Sequence, residues 1–140
     1  MDRDKKTLRD RILEEMSVDY ESTLEKNFDL AKKYIKITSN GRVDVSVKNK
    51  VPGQDKVALY LIGKLYAKEA GKAETELVDN QELAEEIGAP MGSIYPWIKR
   101  LKDNNIIVSE KEDKKTVYSI KLNHVEKILN RIDDELDKGV

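Results

Sequence analysis

The side chains best equipped for chemistry in this 140-residue sequence are cations and hydroxyls gathered between residues 93 and 115. Ser93, Tyr95, Lys99, Arg100 and Lys102 come first, and Lys111, Lys114 and Lys115 follow. Lysine and arginine at this density neutralise phosphate. Ser93 could donate to a phosphate beside the open amides of a helix start. Tyr95 could meet a base edge or stack on a sugar, and Arg100 carries the planar fork that pairs with two acceptors of guanine. The same side chains also suit a solvated helix face, and both readings stay open at this point.

Enzyme chemistry finds little footing. The sequence has no Cys, which removes thiol nucleophiles, disulfides and zinc–thiolate sites. Its single His, His124, stands beside an expected helix cap with no ligand cluster around it. Glycine-rich phosphate loops and a nucleophile beside a base are missing, and the carboxylates share faces with lysine. The expectation is a protein that is not an enzyme and that takes no metal or cofactor. No apolar run approaches the length of a membrane span, and the opening Met1-Asp2-Arg3-Asp4-Lys5-Lys6 is too charged for a signal peptide, so a cytoplasmic location is expected.

Net charge is −1, which argues against a strongly basic DNA-coating protein. The distribution is more informative than the sum. Residues 89–122 carry seven positive and four negative side chains, whereas residues 55–88 carry four and eight. Positive charge is thus in excess on the segment that holds the candidate residues.

That segment must be positioned by the elements around it. Asp79 with Glu82 is a capping-box pattern that starts one helix, Gly88 suits a left-handed stop, and Pro90 cannot continue it. Pro96 lacks an amide donor and clashes with the carbonyl four residues back, which puts the start of the next helix at Ser93 or Ile94, with Ser93 as its cap. Leu83, Ala84 and Ile87 then face Ile94, Ile98, Leu101 and Asn105 across a tight turn. Ile106–Glu110 and Thr116–Leu122 read as a hairpin with a charged tip at Lys111–Lys115, and Leu77-Val78 as a short third strand. Tyr118 and Ile120 fall on its inner side by alternation, and Trp97 is expected to be partly buried against the hairpin or the first helix.

Helix, turn, helix and hairpin, preceded by the Leu59–Gly71 apolar helix, resemble a winged helix-turn-helix domain of archaeal and bacterial transcription regulators over Asp55–Leu122. The resemblance implies that the Ser93–Asn104 helix enters the major groove of double-stranded DNA while the wing touches the backbone. Ser93, Tyr95, Lys99, Arg100, Lys102, Lys111, Lys114 and Lys115 would then be the DNA-binding residues. Pro96 stands where many such domains carry a polar base-reading side chain.

The expected fold class is α+β, mostly α. An N-terminal extension of helices and a β-hairpin covers residues 1–52, the winged domain residues 53–122, and an amphipathic helix residues 123–140. In the extension, Leu8, Ile12, Leu13 and Met16 give one helical stripe, and Tyr20, Leu24, Phe28, Ala31 and Ile35 a second. Asn40-Gly41 between Ile35, Ile37 and Val43, Val45, Val47 marks a hairpin from Tyr34 to Lys48. The next helix is capped near Asp55 and is apolar on most sides. Asn123 with Glu126 caps the last helix, whose Val125, Ile128, Leu129, Ile132 and Leu136 stripe suits either folding back or two-fold pairing. The functional expectation is a homodimeric DNA-binding transcription regulator. The alternative is a winged helix used as a protein-interaction module in a transcription or replication assembly, favoured by the near-zero net charge, Pro96 and the acidic Glu74–Glu86 stretch.

Overall fold

Residues 53–69 constrain the architecture most, because a helix with apolar side chains on nearly every side must be enclosed. In the computed structural model this helix (α4, Gly53–Glu69) is enclosed, with Val57, Leu59, Ile62 and Ala67 each 0 % exposed. The structure describes residues 7–16, 19–46 and 50–138. The charged opening at residues 1–6 and the end of the expected hairpin, at Val47 and Lys48, lie outside the described residues.

The chain is α+β and mostly helical. Against α4 pack α2 (Tyr20–Lys26), the hairpin of β1 (Ile35–Ile37) and β2 (Val43–Val45), α5 (Asn80–Ile87), α6 (Met91–Asp103) and α7 (Leu122–Lys138). A short α3 (Phe28–Ala31) lies against α7. Strands β3 (Val78–Asp79), β4 (Ile107–Glu112) and β5 (Lys115–Ile120) form an antiparallel sheet in the order β3-β5-β4, with Val78 opposite Tyr118 and Ile107 opposite Ile120. One continuous core runs from Leu24 to Ile132 and draws on all three expected segments. No described helix is long and apolar enough to cross a membrane.

The hairpin covers α4 directly. Val43, Val45 and Ile35 are buried, and a Cβ on Gly63 would lie 2.3 Å from a Val43 methyl, so only glycine admits the strands this close. Its turn is a three-residue loop in which the Gly41 amide donates to the Thr38 carbonyl at 2.9 Å and the Thr38 amide to the Arg42 carbonyl at 2.9 Å. Helix α2 is pinned to α4 by a reciprocal pair of hydroxyl bonds. Tyr20 donates to the Leu65 carbonyl at 2.6 Å, and Tyr66 donates to the Leu24 carbonyl at 2.7 Å.

Three expectations need correction. Asp55 does not cap α4: the cap position is Pro52, and Asp55 is 2 % exposed, bonded to Arg131 of α7 at 2.6 Å. The Tyr20–Ile35 stripe is not one helix. It breaks at Asn27, whose side-chain amide donates to the Thr23 carbonyl at 2.9 Å, and Phe28 beyond the break is 52 % exposed. Helix α7 starts at Leu122, which makes Asn123 its second residue and not its cap. Its stripe is spent within the chain, with Val125, Leu129 and Ile132 each 0 % exposed. By contrast α1 (Leu8–Glu15), started by a Thr7–Asp10 capping box, leaves Leu8, Leu13 and Met16 exposed at 71, 54 and 78 %.

The Asp55–Arg131 pair is a buried acid held by one half-exposed cation, which also reaches Glu135 at 3.2 Å. The Asp55 bond holds the guanidinium above its ordinary range. Removing one partner of such a pair strands the other, whereas replacing both with apolar groups is close to neutral. Arg131→Ala is expected to cost about 3 kcal/mol and Asp55→Leu with Arg131→Met to recover most of it, read from urea denaturation midpoints.

Burial and carboxylate bonds also stabilise neutral tyrosine. Burial pushes the Tyr66 phenol up from 10.0 to about 12. Tyr34 and Tyr60 are raised by burial and then by bonds to Asp133 and Glu82. Because the folded phenols hold their protons more tightly than unfolded ones, this stabilisation is complete below pH 10.0 and drains away as pH rises toward the folded values. The urea midpoint is expected to fall steeply above that pH, with the tyrosinate absorbance of the buried Tyr34, Tyr60 and Tyr66 appearing only as the protein unfolds. Tyrosinate absorbance that reached its full six-residue amplitude while the protein was still folded would contradict this.

Candidate nucleic-acid interface

The first helix of the pair is fixed at both ends. The Asp79 carboxylate accepts from the Glu82 amide at 2.8 Å, and Gly88, at φ +77°, sits in the left-handed region with its amide on the Ala84 carbonyl at 2.9 Å. The Glu82 carboxylate accepts from the Tyr60 hydroxyl at 2.5 Å and pairs with Lys64 at 3.2 Å, so it ties α5 to α4. Leu83 and Ile87 are buried against the neighbouring helices.

The second helix begins earlier than expected, at Met91 and not at Ser93 or Ile94. Pro90 is extended, and its carbonyl accepts from the Ser93 amide at 2.9 Å and the Ile94 amide at 3.1 Å, which completes a full turn ahead of the expected start. Pro96 is therefore inside α6. The helix tolerates it because the carbonyl it cannot satisfy belongs to Gly92, and both residues face water. Ser93 is half-buried in the third position of the helix, so the amides that open α6 are those of Met91 and Gly92. Burial of Ile94, Ile98 and Leu101 sets the rotation of α6. Asn105 is not on that face: it adopts φ +58° just past the helix and is exposed.

With that rotation fixed, Tyr95, Pro96, Lys99, Arg100 and Asp103 point outward, and Lys102 is exposed beside them. Tyr95 is 54 % exposed. Lys99 bonds Asp103 one turn on at 2.9 Å, a pair spread over water and easily exchanged for another anion. No described acid pairs with Arg100 or Lys102. In the β4–β5 hairpin, Glu112 stands opposite Lys115, and the turn is Asp113-Lys114 with Asp113 at φ +56°. Lys111 and Lys114 are exposed with no described acidic partner, whereas Lys115 reaches Asp79 at 3.6 Å. Asp79 thus caps α5, pairs in the sheet and meets the hairpin tip.

An open cleft of about 490 Å³ lies between that tip and the start of α5, lined by Asp79, Glu82, Glu112, Lys114 and others. No three His, Cys, Asp or Glu side chains among the described residues could hold a metal ion. The cleft carries both signs of charge. Trp97 is half-buried and packs on the core. Its ring covers Gly53 at the start of α4, where a Cβ would fall 2.0 Å from the indole.

The structure therefore places five of the eight candidate residues on α6 and three on the hairpin, with Ser93 turned partly inward. Sequence reasoning missed the two acids that partner the candidates. The Lys99–Asp103 pair was legible from its i,i+4 spacing, whereas Asp79 and Lys115 lie far apart in sequence and meet only once the sheet forms. No known protein family, curated protein or solved structure matches the chain.

An interior proline costs a helix about 3 kcal/mol, less near the start where the preceding turn is short. Pro96→Ala restores a donor to the Gly92 carbonyl, and is expected to raise the thermal midpoint by an amount corresponding to about 1 kcal/mol. A lowered midpoint would show that α6 is built around the proline.

Proposed function

We propose that the chain is a DNA-binding protein of the winged helix-turn-helix kind, working as a homodimeric regulator of transcription. On this reading α4, α5 and α6 are the three helices, α6 is the reading helix, and β4–β5 is the wing beside the short β3. The supporting observation is the outer face of α6. It is open to solvent, presents Tyr95, Lys99 and Arg100, and is backed by a buried row that fixes its orientation. Thirteen residues make a rod about 20 Å long, and the major groove, about 12 Å wide, admits a helix.

In this arrangement Arg100 and Tyr95 face base edges and sugars, while Lys99, Lys102, Lys111, Lys114 and Lys115 meet phosphates. Asp103 and Asp79 hold Lys99 and Lys115 in the free protein and release them to the stronger field of the duplex. Ser93, set in the third position of the helix, contributes less than its sequence suggested. Two copies place their reading helices in successive major grooves.

A protein-interaction module is the second reading. The observation in its favour is that the same outer surface carries Asp103, Pro96 and a half-exposed aromatic, with overall charge near zero. The two readings diverge in salt. If about four phosphates are neutralised, log affinity for random duplex should fall against log salt with a slope of roughly −4. Lys102→Ala with Lys114→Ala should flatten it by about two. No retention of the wild-type chain on duplex DNA at low salt would overturn the first reading, and an unchanged slope in the double variant would overturn its contact surface.

A further inference from the structure

Across from its buried row, α6 has a crest that is nearly bare over the first two turns. At about 100° per residue, Gly92, Pro96, Lys99 and Asp103 fall opposite Ile94, Ile98 and Leu101, with Tyr95 on one shoulder and Arg100 on the other. Gly92 and Pro96 are both exposed. A Cβ on Gly92 would meet nothing within 4 Å, and the residue is not in the left-handed region. Neither packing nor backbone conformation requires glycine there, so its effect is to leave the crest without a side chain.

Pro96 supplies the other half of the feature. In an uninterrupted helix the carbonyl of residue 92 accepts from the amide of residue 96, and proline has no such amide. Carbonyls on the solvent side of a helix tilt outward. The Gly92 carbonyl is thus an acceptor without its ordinary donor, set on the crest and uncovered by any side chain of its own.

We propose that this carbonyl reads one base in the major groove, an inference that rests on the DNA-binding reading above and gives it a sequence preference. A carbonyl only accepts. The donors that the major groove offers are the amino groups of adenine and cytosine, whereas guanine and thymine turn acceptors toward the same space. The contacted base is therefore an amino base, since a keto base would set lone pairs against lone pairs. The place in the helix agrees, because the first residues of a reading helix are the ones that meet base edges. Glycine at this point lets the main chain approach as closely as a hydrogen bond needs. The proline that removes a base-reading side chain from position 96 exposes a main-chain acceptor in its stead.

The test incubates the full chain with a randomised duplex pool at low salt and reads the bound sequences. Wild type is expected to select a position at which adenine or cytosine on one strand is favoured about tenfold over guanine or thymine. Pro96→Ala returns an amide to the Gly92 carbonyl. It should erase that preference while leaving the other selected positions and the salt slope intact, and its helix is expected to be the more stable one. In the selected duplex, replacing adenine at that position by purine, which lacks the amino group, should weaken wild type about tenfold and leave Pro96→Ala unaffected. If wild type holds no duplex at all, the DNA-binding reading falls and this proposal with it. If Pro96→Ala relaxes no amino-base position, or if the purine substitution weakens both proteins equally, this proposal alone is overturned and the phosphate contacts stand.

Discussion

The need to keep water away from α4 determines where the other elements go, since seventeen residues with apolar side chains on almost every side cannot be covered by any single partner. The N-terminal hairpin takes one side, where Gly63 lets Val43 come close. Helices α5 and α6 take another, α7 closes a third, and α2 lies along the remainder. The expected boundary near residue 52 is therefore a change of element and not a seam between separate cores. For the same reason the outward face of α6 is rigidly aimed. Its buried row is seated on an enclosed rod, and the residues that would touch a ligand need not supply stability.

Polar groups mark where this enclosure is thinnest. Tyr20 and Tyr66 each donate to a carbonyl of the other's helix, Leu65 and Leu24, Tyr60 anchors Glu82, and Tyr34 donates to Asp133 of α7. A phenol suits these margins because its ring packs with the core while its oxygen finds an acceptor at the edge. Asp55 is the exception, a carboxylate deep in the first turn of α4, where the helix dipole and Arg131 both favour its charge. It joins the start of the central helix to the last helix of the chain.

Much of the fold was legible because its signals were local. Asp79 and Gly88 delimit α5 as their chemistry requires, Asn40-Gly41 marks a real turn, and alternation placed Tyr118 and Ile120 inside. The misreadings came where a distant partner overrode a local rule. Asp55 looked like a cap because nothing near it in sequence points to Arg131. Pro96 seemed to exclude an earlier helix start because its cost was judged without knowing that Gly92 faces water. The α7 stripe, equally suited to a partner chain, is occupied by α2, α3 and α4, which no pattern within residues 123–140 could show. Of the candidate site, the exposed α6 cations were readable from periodicity alone. The inward turn of Ser93 followed from the helix start and was not.

The position of Trp97 links these two levels of structure. Its indole lies over Gly53 in the space a side chain would otherwise occupy, so the first turn of α4 and the flank of α6 share one small contact patch. A change in the pitch of α6 that lifts the ring must loosen the entry of α4, two residues from the buried carboxylate that fastens α7. That turn is the structural route from the flank of α6 to the last helix of the chain. The sequence's sole indole stands on that route as a built-in fluorophore.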